Sequence, residues 1–398
     1  MKTLEAVAGP GRAFAMGPFG SNIKTENFVQ SGVPVIQGRN LSGTRLDEND
    51  FVFLTDEKAD ELSASVVKSG DIVITHRGTL GQVVMIPRTS RYPRYVVSQS
   101  QMKISVDEDE MSPEFVTYWL QSSMGQAELF AYASQTGVPA IAQPLASLRK
   151  MRVICPPLDE QRAIAGVLGA LDDKIESNRR MNGLVDGLVR SEFQRLAQTS
   201  TCESVSVGDV IDRVHKAVDP SALPPSTPYI GLEHMPRGSM FIDRWANADG
   251  LDSGKSQFEI SDVLFGKLRP NFRKVGIAPI SGIGSTDILV LRPRSGFSVA
   301  LVLAIATSEE VLGPAIAASS GTKMPRVSWD YISKLQVSVP DASGCAEFAD
   351  VIDPMIQRTM RALLENRILE NTRDALLPEL LSGRLRVRDA EKVVEGAV

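Results

Sequence analysis

The chain has 398 residues, too many for one ordinary domain, so two domains plus connecting structure are expected. Hydrophobic residues make up 43% and charged residues 23%, as in ordinary globular proteins, and a net charge of −5 argues against broad, charge-driven coating of nucleic acid. No run approaches the ~18 apolar residues of a membrane span, MKTLEAVAGPGRAFAMG lacks the apolar core of a secretory signal, and Cys155, Cys202 and Cys345 are too scattered for a disulfide framework, so a cytoplasmic, reduced protein is expected.

In chain order, GVPVIQGRNL (Gly32–Leu41) reads as a Pro, a short apolar strand and a polar loop. VKSGDIVITHRGTLGQVVMIP (Val67–Pro87) sets Asp71 before a β-branched strand, then a basic loop, then a second strand closed by Pro: a hairpin with charge at its tip. From Ile72 to Val106 there is no Asp or Glu, yet there are Arg77, Arg88, Arg91, Arg94 and Lys103. SQTGVPAIAQPLASLRKMRVICPP (Ser134–Pro157) gives a Gly/Thr/Pro turn, a helical stretch and an alternating strand.

From Leu158 to Ala197 the apolar positions Ile164, Leu168, Leu171, Ile175, Val185, Val189 and Leu196 follow three–four spacing, with Asn178 and Asn182 in the seam. Such a helix of about 40 residues extends roughly 60 Å. Asp172, Asp173 and Glu160 read as its solvated face or as partners of its N-terminal dipole. Gly183 and Gly187, four apart, read either as a weak, frayed stretch of helix or, the favoured reading, as close backbone approach to a partner helix near Ala375.

The pattern then restarts about 185 residues on, in the same order. STPYIGLEHM (Ser226–Met235) echoes the first strand and loop, and FEISDVLFGKLRPNFRKVGIAP (Phe258–Pro279) the basic hairpin. SSGTKMPRVSWDYISKLQVSVP (Ser319–Pro340) echoes the turn, helix and strand. NRILENTRDALL (Asn366–Leu377) repeats NRRMNGLVDGLV (Asn178–Val189) at a constant offset of 188 residues. Two further acid-free stretches, Val263–Thr286 and Val311–Trp329, hold Lys267, Arg269, Arg273 and Lys274, then Lys323 and Arg326. A second long helix is expected from about Ala346 to Leu381, with a kink or restart at Asp353–Pro354.

Local cationic loops on an acidic chain fit site-directed contact with phosphates and base edges. In the first half the candidates are Arg77, Thr79, Arg91, Tyr92, Arg94 and Gln99, where guanidinium forks suit guanine edges or phosphates. Gln99, with Ser98 and Gln101, suits amide pairing to adenine. In the second half they are Lys267, Arg269, Asn271, Arg273 and Lys274. The paired turn loops add Thr136 and Gly137, and Thr322, Lys323 and Arg326, whose backbone N–H groups and hydroxyls suit phosphate. Each also reads simply as solvated loop. His76, His215 and His234 have no carboxylate or serine at catalytic spacing, and neither a CxxC pair nor an HxxxH motif occurs. Trp119 and Trp329 read as core, Trp245 as loop.

These blocks together resemble the specificity subunits of type I restriction–modification enzymes. GPFGSNIKTENFVQSGVPVIQGRNL (Gly17–Leu41) is similar to the opening of a target recognition domain in that family. SGDIVITHRGTLGQ and ISDVLFGKLRPNFRKVGIA are similar to its central hairpins, and PPLDEQRAIAGVLGALDDKIESNRR and RDALLPELLSGRL to its inter-domain helices. The resemblance implies an α+β chain with two mixed α/β target recognition domains in tandem, joined by two long antiparallel helices in a pseudo-two-fold coiled coil. The boundaries are residues 1–156 and 199–341 for the domains, 157–198 and 342–384 for the helices, and 385–398 for a tail.

By the same resemblance, each domain reads one half of a split, asymmetric site in double-stranded DNA, and the helices act as a ruler over the unread spacer. Two methyltransferase subunits dock on the helices, and motor–nuclease subunits join them. S-adenosylmethionine, ATP and Mg are then expected on those partners and no cofactor on this chain. A phosphate loop GxxxxGK[ST] and an adenine-methyltransferase N/D-P-P-Y/F motif do not occur, as in a non-catalytic subunit. Two other readings stay open: the specificity chain of another DNA-modifying phage-defence complex, and a structural adaptor whose domains bind protein.

Overall fold

The computed structural model describes all residues except Phe19, Ser21, Ser42, Gln135, Thr136, 320–324, Ala397 and Val398. The chain divides into two compact units, Met1–Asp173 with Leu369–Val398, and Lys174–Ile368.

In the first unit, Phe14–Met16, Gln101–Ile104, Ile72–Thr75 and Val83–Met85 lie side by side in that order as an antiparallel sheet. A second sheet orders Val52–Leu54, Val33–Ile36, Tyr95–Val97 and Val66–Val67, with Val33–Ile36 and Tyr95–Val97 parallel. Val73 and Val84 of the first sheet pack with Ile36, Tyr95 and Val97 of the second. Helix Pro113–Gln121, capped by the Ser112 hydroxyl and started by Pro113, packs on Val83–Met85. The hairpin strands are thus buried on both faces, which is why residues 72–74 are a continuous apolar run rather than an alternating one.

The second unit repeats this plan. Ile211–Val214, Ile288–Pro293, Val263–Gly266 and Val275–Ile277 make the first sheet in the same order and sense. Ala246–Asn247, Pro228–Ile230, Gly282–Gly284 and Lys255–Phe258 make the second, again with one parallel pair, and Ala217–Val218 adds an edge strand. The recurrent Asp before each hairpin strand is buried and ion-paired across its sheet: Asp71 with Lys103 at 3.1 Å, Asp262 with Arg292 at 2.6 Å. Helix Val299–Thr307 is apolar all round because it lies inside the core of this unit.

The two long helices are Leu158–Thr199 and Ala342–Leu381. Within the second unit they run antiparallel: Lys174 meets Glu365 at 3.3 Å, Asn178 meets Asn366 at 2.8 Å, and Arg195 meets Glu347 at 2.7 Å. Val185, Val189 and Leu196 share a core there with Phe348, Ile352, Ile356, Met360 and Leu363. Within the first unit Asp172, 2% exposed, accepts from Tyr118 Oη at 2.6 Å and from Arg373 at 2.7 Å.

Several sequence expectations are corrected here. Asp172 is buried in the seam rather than solvated, because it lies on the same helical stripe as Leu168, Leu171 and Ile175; Asp173 is exposed and pairs with Arg45. The second helix does not restart at Pro354 but continues through it, and Asp353 accepts from the Ala300 N–H near the start of another helix instead of capping its own. Open space surrounds Gly183 and Gly187, with no close backbone approach. In an antiparallel pair the facing residue moves backward as one moves forward, so a shared repeat column is not a contact except where a column meets itself, as at Asn178 and Asn366. Within the tail, Val387–Glu395 forms a helix in the first unit.

Candidate nucleic-acid interface

In the first unit the hairpin tip spans residues 76–82. It is stitched to the turn loop that carries Gly137: the Gly78 N–H donates to Pro139 O at 2.8 Å, the Ile141 N–H donates to His76 O at 2.8 Å, and Arg77 bridges Ala140. The sequence placed both loops among the candidates, and the structure brings them together. The His76 ring is buried with one ring nitrogen 3.1 Å from Gln99 O, and burial holds its pKa below the usual value.

Beside this tip lies a cleft of about 430 Å³ lined by Gln37, Thr75, Arg77, Thr79, Gln82 and Gln99, among others. Pro18 and Gly20 also line it, and Gly17 and Gly20 lie against residues 98–101. A Cβ on Gly17 would sit 1.8 Å from Ser98 O, and the Gly17 N–H donates to Gln101 O at 2.9 Å, so only glycine fits. The floor is a closed polar network. Gln101, wholly buried, donates to Thr75 Oγ1 at 3.4 Å and accepts from Ser98; Thr75 donates to Gln82 Oε1 at 3.0 Å; Gln82 donates to Gly38 O at 3.0 Å. Gln101 is therefore structural, not a reader. The Arg77, Thr79 and Gln99 side chains are exposed and have no hydrogen-bond or ion-pair partner among the described residues. Gln37 also lines the cleft and escaped the sequence reading; its position at the end of the VPVI strand, where the run turns polar, was the available signal.

The other first-unit candidates lie elsewhere. Tyr92 packs edge-on to Phe51 and Tyr95, and Arg91 covers the Tyr92 ring at 5.6 Å. Arg94 is held by Asp56 and Asp60, each at 2.5 Å. Arg88 pairs with Glu108 and Glu114. The stretch free of acids in sequence is thus largely neutralised in space by acids from other elements.

The second tip, residues 267–274, is stitched in the same way: the Arg269 N–H donates to Pro325 O at 2.8 Å and the Val327 N–H to Lys267 O at 3.1 Å. Its third residue and its last but one, Arg269 and Arg273, take left-handed backbone at φ 52° and 51°, where the first tip has Gly78 and Gly81 at 92° and 89°. A non-glycine residue there costs on the order of 1 kcal/mol. Arg269 and Asn271 are exposed, and Arg269 has no ion-pair partner among the described residues. Arg273 is tied to both oxygens of Glu309, and Lys274 donates to Leu232 O. Arg326 reaches Asp287 at 3.3 Å. Burial lowers the Lys267 pKa, opposed by Asp287 and assisted by Arg213 and Arg326. Asp287 therefore serves both Lys267 and Arg326, and Arg213 adds a further positive charge near Lys267; Arg213 was not singled out from sequence. Thr136, Thr322 and Lys323 lie outside the described residues, and Gly137 is a left-handed turn residue at φ 80°.

Residues 20–184 match the sequence model of the type I restriction modification DNA specificity domain. The chain is 20% identical over 369 residues to the type I restriction enzyme MjaIX specificity subunit of Methanocaldococcus jannaschii, covering 84% of this chain and 82% of that one. It is 24% identical over 163 residues to the MjaVIII specificity subunit of the same organism, 40% of this chain and 38% of the other. Its fold is similar to that of the solved S subunit of a type I restriction–modification system from M. genitalium, with a TM-score of 0.59, 14% identity and 95% of each chain covered. The resemblance to type I specificity subunits read from the sequence holds, as does the two-domain α+β fold with paired long helices.

Proposed function

We propose that this chain, similar along most of its length to type I specificity subunits, reads a split site in double-stranded DNA for a restriction–modification complex and carries no catalytic centre of its own. The observation that carries this reading is the repeated tip. In each unit a hairpin loop is fastened to the same second loop and presents exposed arginine, Arg77 or Arg269, without an ion-pair partner among the described residues. Guanidinium groups held on pinned backbone suit phosphate and guanine edges.

In this reading two methyltransferase subunits and motor–nuclease subunits are the partners, and S-adenosylmethionine, ATP and Mg act on them. The setting is the cytoplasm, where the DNA is. The test is binding to duplex DNA with the methyltransferase partner present, titrated with salt. Affinity is expected to fall steeply, with a slope of about −0.9 per phosphate contacted. The chain alone with S-adenosylmethionine is expected to transfer no methyl group. Salt-insensitive binding, or turnover by the isolated chain, would end this reading.

A further inference from the structure

We propose that the cleft beside the first tip is a reader of adenine edges, with Gln37 and Gln99 as its specificity-determining residues and Arg77 flanking them; this rests on the DNA-reading assignment above. Among the described residues no acid lines the cleft and Arg77 is its one cation, so charge is not what it selects. Of the four glutamines among its described lining residues, Gln82 and Gln101 spend their amides on the floor network. The amides of Gln37 and Gln99 have no partner among the described residues.

A primary amide offers one acceptor and two donors side by side, the complement of adenine N6–H and N7 in the major groove. Arginine, which only donates, suits guanine or phosphate instead.

Both amides hang from fixed backbone. The Gln37 N–H donates to Asn40 Oδ1 at 3.0 Å, and Gln37 O accepts from the Asn40 N–H at 2.9 Å. Gln99 O lies 3.1 Å from the His76 ring. The space for the Gln99 amide exists because residue 20 is glycine: a Cβ there would stand 2.6 Å from Gln99 Oε1. Unpaired amides carried on pinned backbone over a satisfied polar floor suit base reading.

The experiment uses the chain assembled with its methyltransferase partner and a duplex pool randomised over both half-sites, with the bound duplexes sequenced. Wild type is expected to select adenine in the half read by the first unit. Gln37→Ala with Gln99→Ala should relax those positions, weaken binding to the best duplex by roughly ten- to a hundredfold, and leave the salt slope unchanged.

The other half-site should keep its letters, which reports that the complex still folds and assembles. Gln37→Glu, which keeps the shape but accepts only, should move a preference from adenine to cytosine, and it carries the test if the alanine pair lowers Tm. Unchanged letters and affinity in the variants, or altered letters in the other half alone or in both halves, would overturn the proposal while leaving the DNA-reading function intact. A wild-type complex that selects no sequence would instead sink that function.

Discussion

Two glycines beside the first-unit cleft make separable demands. A side chain at residue 17 collides with the Ser98 backbone, which cannot yield without parting the sheet edge, so Gly17→Ala should destabilise the chain by about 1–3 kcal/mol, read as a fall in Tm. A side chain at residue 20 meets only the far end of Gln99. Gly20→Ala should leave Tm within a degree or two, since surface changes of this kind cost about 0.5 kcal/mol or less, but disturb selection in one half-site. Equal thermal losses in the two variants would contradict this division. From sequence, GPFGS was legible only as part of a family resemblance, because the approach of residues 98–101 is a contact between positions about 80 residues apart.

At the level of elements, the pairing of the long helices is set by a few buried polar groups as well as by apolar stripes. In the first unit Asp172 binds Tyr118 and Arg373, with Thr44 Oγ1 at 3.2 Å, and the Asp172 and Arg373 side chains are 2% and 12% exposed. Burial, reinforced by Asp172, holds the Tyr118 hydroxyl protonated far above its usual pKa. Asp172→Ala would leave the largely buried Arg373 guanidinium with only Thr44 and the exposed Asp374, and the Tyr118 hydroxyl without its acceptor. It should cost about 3 kcal/mol, whereas Asp172→Leu with Arg373→Met and Tyr118→Phe should recover most of it. Denaturant midpoints of the two variants check this; equal losses would show that the pair is not energetically coupled. The acid on the apolar stripe was visible in the sequence, but its partners come from elements far away in the chain.

Across the molecule, the duplication makes the two units exchangeable in principle. Replacing residues 1–156 with the matching part of another such chain should change one half-site and leave the letters of the other alone. The graft must keep Thr44, Arg45 and Tyr118, which hold Asp172 and Asp173, and the Glu110 carbonyl and Ser112 N–H that hold Gln161. Site selection by the exchanged complex checks this; a change in both halves would show that reading is not divided between the units. The two tips share backbone geometry yet differ in chemistry: amides and an arginine without a partner among the described residues in the first, Lys267 and Arg326 about Asp287 in the second.

The sequence by itself determined the duplication, the basic hairpins, the two long helices and the family resemblance, because repeat order and hydrophobic period are local properties of a chain. Only the tertiary structure decided which charges remain free. Arg94, Arg88 and Lys103 look as available as Arg77 along the chain, yet each lies against a carboxylate brought by another element. It likewise sorted Gln37 and Gln99 from Gln82 and Gln101, since an amide is open to a ligand only where folding has left it unpaired.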